Sequence, residues 1–296
     1  MRYRTLGSTG LDVSVIGVGT WQFGGEWGKD FAQPEVDAMF RRAEELGINL
    51  VDTAECYGDH LSESLVGAAL DGKRDKWIIA TKFGHKFHGH LNRTEPRSPK
   101  DITLQLEDSL RALRTDRIDL YQYHSWGDDA FYNDDVLALI RKFKADGKIL
   151  HYGNSVGSNA NTAQVAASQR MGIEFVQIIY NRLDRKPEAE AFPICRAQNL
   201  GVLARVPLAS GYLSGKYKPG ARFPTGDVRA GHKREDVDAK LKEVERIGRE
   251  EVPIGMSMAQ WALGWCLKDP TVTSVIPGCK DVAQVESNAA AAEVEI

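Results

Sequence analysis

Cysteine is scarce, with Cys56, Cys195, Cys266 and Cys279 the only four in 296 residues. None forms a CxxC pair, which excludes a disulfide framework and argues against a zinc site built on cysteine spacing. A reducing compartment suits such a chain, and a cytoplasmic location is expected. Long apolar runs are absent as well. No stretch approaches the roughly 18 residues of a membrane-spanning helix, and Met1 to Gly7 carries no signal-peptide core. Charge of one sign is not in excess, since Lys plus Arg number 38 and Asp plus Glu 41. Nucleic-acid binders show a basic excess or stripe. No nucleic-acid, membrane or protein partner is therefore expected. No linker or low-complexity stretch divides residues 1–296, so one domain is expected. What is present is the 42% hydrophobic and 27% charged composition of a soluble globular chain with a large core.

Short apolar runs recur along the chain. They are Val15 to Gly19, Asn49 to Asp52, Trp77 to Lys82, Ile118 to His124, Ile149 to Gly153, Phe175 to Ile178, Gly201 to Val206 and Val272 to Ile276. Runs of this length bounded by turn residues suit buried parallel strands. Helical stripes fill the gaps, as in Val36, Met39, Phe40, Ala43 and Leu46, or Ile102, Leu106, Leu110 and Leu113. Further stripes cover residues 162–171, 188–199, 258–267 and 282–292. Eight strands each followed by a helix predict an α/β fold, a (β/α)8 TIM barrel, with a doubly wound open sheet as the rival. Residues 3–6 and 12–14 predict a small β-hairpin ahead of the barrel. Residues 83–99 and 207–236 predict long loops, and residues 235–251 an extra exposed helix.

Polar residues stand where strands end, the face on which barrel chemistry sits. Asp52 ends the second run, Lys82 the third and His124 the fourth, and Tyr57 follows Asp52 by five residues. Each alone has a plain structural reading: a cap, a surface lysine, a packed histidine, a loop aromatic. Together they place four ionisable groups at one point. A tyrosine is too weak an acid near neutral pH. A lysine cation beside it favours the phenolate and lowers its pKa, an aspartate keeps the lysine charged, and a histidine can bond the substrate oxygen. That set suits giving a proton to an oxygen that gains negative charge, as in carbonyl reduction by hydride. The hydride needs a cofactor.

The chain resembles the aldo-keto reductase family along its whole length. Arg4 to Gly10 with Gly17 to Trp21 is similar to the family's start, and Asp52 to Gly58 to its DTAxxYG motif. Thr81-Lys82 and Tyr121 to His124 match the lysine and histidine motifs. Pro207 to Tyr217 resembles a nucleotide-binding loop of the bacterial, yeast and channel-subunit branches, and Ile276 to Asn288 an adenosine-phosphate segment. The resemblance implies a catalytic tetrad of Asp52, Tyr57, Lys82 and His124, with Tyr57 as general acid. It implies an extended nicotinamide dinucleotide, held without a Rossmann fold, and no GxGxxG follows a strand here. Gly19, Thr20 and Trp21 would lie near the nicotinamide, with Ser155 and Gln177 on its carboxamide. Leu208, Ser210, Gly211, Leu213 and Ser214 would wrap the pyrophosphate beside Lys216. Gly278, Lys280, Gln284 and Asn288 would take the adenosine end. Lys280 at the opening of the last helix favours NADPH over NADH.

Departures from the family pattern are two. Val156 replaces the asparagine that usually follows Ser155, and Asn154 alternates to the opposite strand face. Arg205 replaces an aromatic that often stacks on the nicotinamide; its guanidinium can stack on the ring, disfavouring the oxidised form, or reach an anionic or polar substrate group. Trp21, Phe23, Trp27 and Trp126 are expected on the substrate wall beside Tyr57 and His124. His85, His88 and His90 have poor metal spacing and no acid among them, and read as a solvated loop at the substrate entrance. Few residues follow the last helix, so an open mouth that tolerates bulky aldehydes or ketones is expected, with a small-molecule carbonyl compound as substrate. Two other activities compete: a lyase using a Lys82 Schiff base, and an NADPH-binding sensor with little turnover.

Overall fold

The computed structural model describes residues 1–296. Eight strands lie side by side in chain order. They are β1 Val18–Gly19, β2 Leu50–Asp52, β3 Ile78–Phe83, β4 Ile118–His124, β5 Ile149–Ser155, β6 Phe175–Ile179, β7 Gly201–Arg205 and β8 Ser274–Val275. Every neighbouring pair is parallel. The first and last strands meet: Gly17 N–H donates to the Val275 carbonyl at 2.8 Å and Gly19 N–H to that of Pro277 at 2.9 Å. The sheet is thereby closed into a barrel. The rest of the two predicted terminal runs takes part through these bonds, although the regular strands are short.

Side chains alternate between the inside of the barrel and the helices. The inward positions form a lower apolar layer of Leu50, Ala80, Leu120, Phe175, Leu203 and Ile276. Val13 in the N-terminal hairpin, Tyr3–Thr5 with Asp12–Ser14, and Leu6 just after its first strand pack beneath this layer. Gly153 makes room for Phe175, because a Cβ there would sit 2.6 Å from the ring. Two residues further along the strands the inward side chains are Asp52, Lys82, Gln122, Gln177 and Arg205. Parity thus converts an apolar floor into a polar layer at the strand C-termini.

Helices Gln33–Glu45, Leu61–Ala69, Pro99–Ala112, Asp134–Ala145, Thr162–Met171, Ala191–Ala197, Met258–Leu267 and Val282–Ala290 accompany the strands. A 56-residue buried cluster joins their inner faces to the outer face of the sheet. Three predicted features differ. The helix expected over 188–199 breaks at Glu190 into Lys186–Ala189 and Ala191–Ala197, because Pro193 has no N–H to bond the carbonyl one turn back. The loop after β3 contains a hairpin, Lys86–Gly89 with Asn92–Thr94, turned by Gly89 and Leu91 at positive φ. The extra helix Arg234–Glu250 buries Val237, Leu241, Val244 and Ile247 along one face, so only its other face is exposed.

Leu120 is fully buried in the lower layer. Leu120→Ala is expected to lose about 2–5 kcal/mol of unfolding free energy, the cost of lost transfer plus a residual cavity, measured by urea denaturation.

Candidate active site

A cavity of about 560 Å³ opens over the C-terminal ends of the strands. At its floor Lys82 donates from Nζ to Asp52 Oδ2 at 2.8 Å, to the Thr53 carbonyl at 2.7 Å and to Tyr57 Oη at 3.3 Å. The ammonium is almost wholly buried, just beneath the cavity surface. Asp52 Oδ1 accepts from Gln177 Nε2 at 2.7 Å and from Gln122 Nε2 at 3.3 Å. Ser155 Oγ donates to Gln177 Oε1 at 3.3 Å. The His124 ring lies 6.0 Å from that of Tyr57, so the expected four groups are together, and Gln122, which sequence reasoning passed over, completes the shell around the aspartate.

Charge states follow from this packing. Burial opposes the Lys82 charge, but Asp52 and then Tyr57 outweigh it and hold the ammonium above its usual range. Burial also dominates at Tyr57. Lys82 pulls its phenol down, yet the net effect pushes it up to about 12. The expected lowering by lysine is present but overruled by desolvation, so the phenol is protonated at neutral pH. His124 is held well below its usual value by burial, then by the charges of His85, Lys82, Arg205 and Arg93. Its Nδ1 lies 3.6 Å from Cys56 Sγ and 3.9 Å from Glu55 Oε2. Glu55 itself is pushed up to about 8 by burial, and one of its oxygens has no partner. Its other oxygen accepts from the His85 N–H at 2.8 Å.

The remaining residues fall into two groups. Gly19, Thr20, Trp21 and Trp27 line one side of the cavity with Ser155, Gln177 and Arg205. Leu208, Ser210, Gly211, Ser214 and Lys216 line a second stretch, and Gly278, Lys280, Gln284 and Asn288 a third. Three expected residues do not reach it. Phe23 turns away in the short helix Trp21–Gly24 and packs on Phe31 at 4.8 Å. Trp126 is buried against Phe83 and Tyr123, its Nε1–H donating to the Gly84 carbonyl at 3.1 Å. Leu213 is fully buried in the apolar cluster under the helix Arg234–Glu250. Asn154 does face outward, donating to Gln164 Oε1 at 3.1 Å. Asp281, next to Lys280, caps the last helix by accepting from the Gln284 N–H at 2.8 Å, so the helix end is not left to a ligand alone.

Loop segments from three parts of the chain meet beside the cavity, and Trp27, Arg93 and Arg229 from them line it. Glu26 is buried and accepts from Trp21 Nε1 at 2.6 Å, from the Leu91 N–H at 2.9 Å and from Arg93. The Val228 N–H donates to the Glu26 carbonyl at 3.1 Å. Arg229 pairs with Asp227 at 2.6 Å and lies over the rings of Phe223, Tyr217 and Trp27. Backbone strain gathers here too: Ser125, Val206, Ala209 and Ser210 all have positive φ, which is rare outside glycine and costly for a β-branched valine.

The chain has relatives among known proteins. A family model, the aldo/keto reductase family, matches residues 15–296. The uncharacterized oxidoreductase YqkF of Bacillus subtilis (strain 168) is 32% identical over 99% of this chain and 91% of its own. Among solved structures, the holo form of aldo-keto reductase AKR11C1 from Bacillus halodurans superposes with a TM-score of 0.82 at 31% identity, covering 100% of this chain and 92% of its own. The glycerol dehydrogenase AKR11B4 from Gluconobacter oxydans follows with a TM-score of 0.80 at 29% identity, covering 98% and 89%. The chain belongs to the aldo/keto reductase family, and it is an NAD(P)H-dependent oxidoreductase that acts on carbonyl and alcohol groups.

Proposed function

We propose that this enzyme reduces an aldehyde or ketone to the alcohol, or runs the reverse, with NADPH as hydride source and Tyr57 as proton donor. The observation that carries this is the single Lys82 ammonium bonded to both Asp52 Oδ2 and Tyr57 Oη. NADPH, when bound, supplies the hydride. Tyr57 holds its proton at neutral pH and can give it to the carbonyl oxygen as negative charge develops there. The phenolate left behind faces the Lys82 cation, which Asp52 keeps charged and oriented. Neutral His124, with Nδ1 turned to Cys56 and Glu55, has Nε2 left for the substrate oxygen. The same ion pair opposes a Schiff-base role, because a lysine held charged is no nucleophile.

The cavity suits an extended dinucleotide. It runs from the Asp52 and Tyr57 floor past Ser210, Gly211 and Ser214 to Lys280 and Asn288. At Gly278 a Cβ would lie 1.8 Å from the amide end of the Gln22 side chain, which would have to move aside. Burial, then the nearby charges of Arg229, Lys29 and Lys216, lowers the pKa of Lys280. Such cationic crowding favours a phosphate, and supports NADPH over NADH. A small-molecule substrate in a cytoplasmic setting fits a chain with no helix long and apolar enough to cross a membrane.

Tyr57→Phe is expected to lower NADPH-dependent reduction of an aldehyde panel by about 10²–10⁴-fold, with NADPH binding retained by fluorescence titration. Tight NADPH binding and no turnover by the wild type on any panel member would favour the sensor role instead. Lys280→Met removes one charge-assisted contact and is expected to weaken NADPH binding roughly tenfold or more while changing NADH binding little.

Glu55 sets a pH dependence. The folded chain holds its proton up to about 8, against an ordinary 4.5. Between those values the folded state binds the extra proton, so stability falls as pH rises. Glu55→Gln has no such proton to lose. Urea denaturation from about pH 5 to about pH 9 is expected to show the variant gaining on the wild type by several kcal/mol.

A further inference from the structure

Four buried nitrogens on the cavity wall have no hydrogen-bond partner: Nε of Arg205, Nε of Arg93, Nδ1 of His85 and Nε1 of Trp27. Buried polar groups are nearly always satisfied, and unsatisfied ones on residues that line a cavity are candidates for contact with a ligand. Arg205 stands out among them. The other buried cations here have carboxylates: Lys82 has Asp52, Arg93 has Glu26 and Arg229 has Asp227. Arg205 has none. It donates only from Nη2, to the carbonyls of Val156 at 2.9 Å and Gly157 at 3.3 Å. A guanidinium cannot shed its proton to escape burial, and a buried charge is costly unless paired.

Arg205 also stands close to the chemistry. It ends β7 on the inward face, and its charge acts on His124 together with those of His85 and Arg93. The His85 and His124 rings are 4.7 Å apart. Resting on the reductase reading, we propose that this end of the cavity recognises a carboxylate carried by the carbonyl substrate, an oxo acid or carboxy-aldehyde, with Arg205 as the countercharge and His85 and Arg93 completing the subsite. A planar carboxylate matches a guanidinium. One uncompensated cation matches one negative charge, whereas a phosphate dianion would leave a charge unmet here. Lys216 and Lys280, which have no carboxylate partner either, lie with the Ser210, Ser214, Gln284 and Asn288 part of the wall.

The test compares substrates that differ only in that charge: 4-carboxybenzaldehyde against methyl 4-formylbenzoate, and 4-oxobutanoate against its methyl ester. The wild type is expected to prefer each acid by about tenfold or more in kcat/KM, mostly through KM. Arg205→Gln is expected to abolish the preference, and Arg205→Lys to keep part of it. Equal use of acid and ester by the wild type overturns the proposal, as does an equal loss on both in Arg205→Gln, which would assign Arg205 to the cofactor or the fold. Calorimetry with benzoate, on the protein with NADP⁺, reads the subsite without turnover. Binding by the wild type that weakens about tenfold in Arg205→Gln supports it, and no binding by the wild type overturns it. If neither aldehyde class turns over, the reductase reading fails while calorimetry still decides the anion subsite.

Discussion

The ion pair between Lys82 and Asp52 is the constraint on which the site rests. Both groups are buried and 2.8 Å apart. A buried lysine without a partner loses its charge, and a buried aspartate gains a proton. Here each has its remaining capacity filled, by the Thr53 carbonyl on one side and by Gln177 and Gln122 on the other. Those contacts come from β2, β3, β4 and β6, so the barrel's register and the charge state of its floor are one problem. A slip of one residue in any of these strands would turn a polar side chain of this shell into the apolar layer outside.

Much of this was legible from the residues, for reasons that also explain what was not. Asp52, Lys82 and His124 are polar groups that end apolar runs, and strand parity sends them to the same face. Gln122 sits inside its run, two residues before His124, and reads as an ordinary strand polar. Glu55 and Cys56 read as spacers between Asp52 and Tyr57, although they flank His124 Nδ1. Phe23 and Trp126 have the same chemistry as Trp21 and Trp27, and only the short turns carrying them decide which ring meets the cavity. The pKa of Tyr57 depends on depth as well as partners. Its partner lysine was readable, and the desolvation that outweighs it was not.

The loops above the floor are held by few contacts. Glu26 alone gathers Trp21, the hairpin after β3 and, through its carbonyl, the Asp227–Arg229 turn. These segments carry no sequence period, which is why their convergence could not be foreseen. Strained backbone at Val206, Ala209 and Ser210 follows the end of β7 directly. The tethers around it explain how such conformations persist.

Barrel closure has a consequence for the order in which the enzyme comes into being. Gly19 pairs with Gly278, from opposite ends of the chain. The proposed tetrad, Asp52 to His124, lies wholly in the first half of the sequence and leaves the ribosome early. The wall proposed to hold the nucleotide is assembled only when β8 docks on β1. A nascent chain therefore carries its proposed acid–base residues without any compartment to use them in. Contacts this distant in sequence are slow to form, so the final closure step is where synthesis, folding and the first chance of capturing a cofactor coincide.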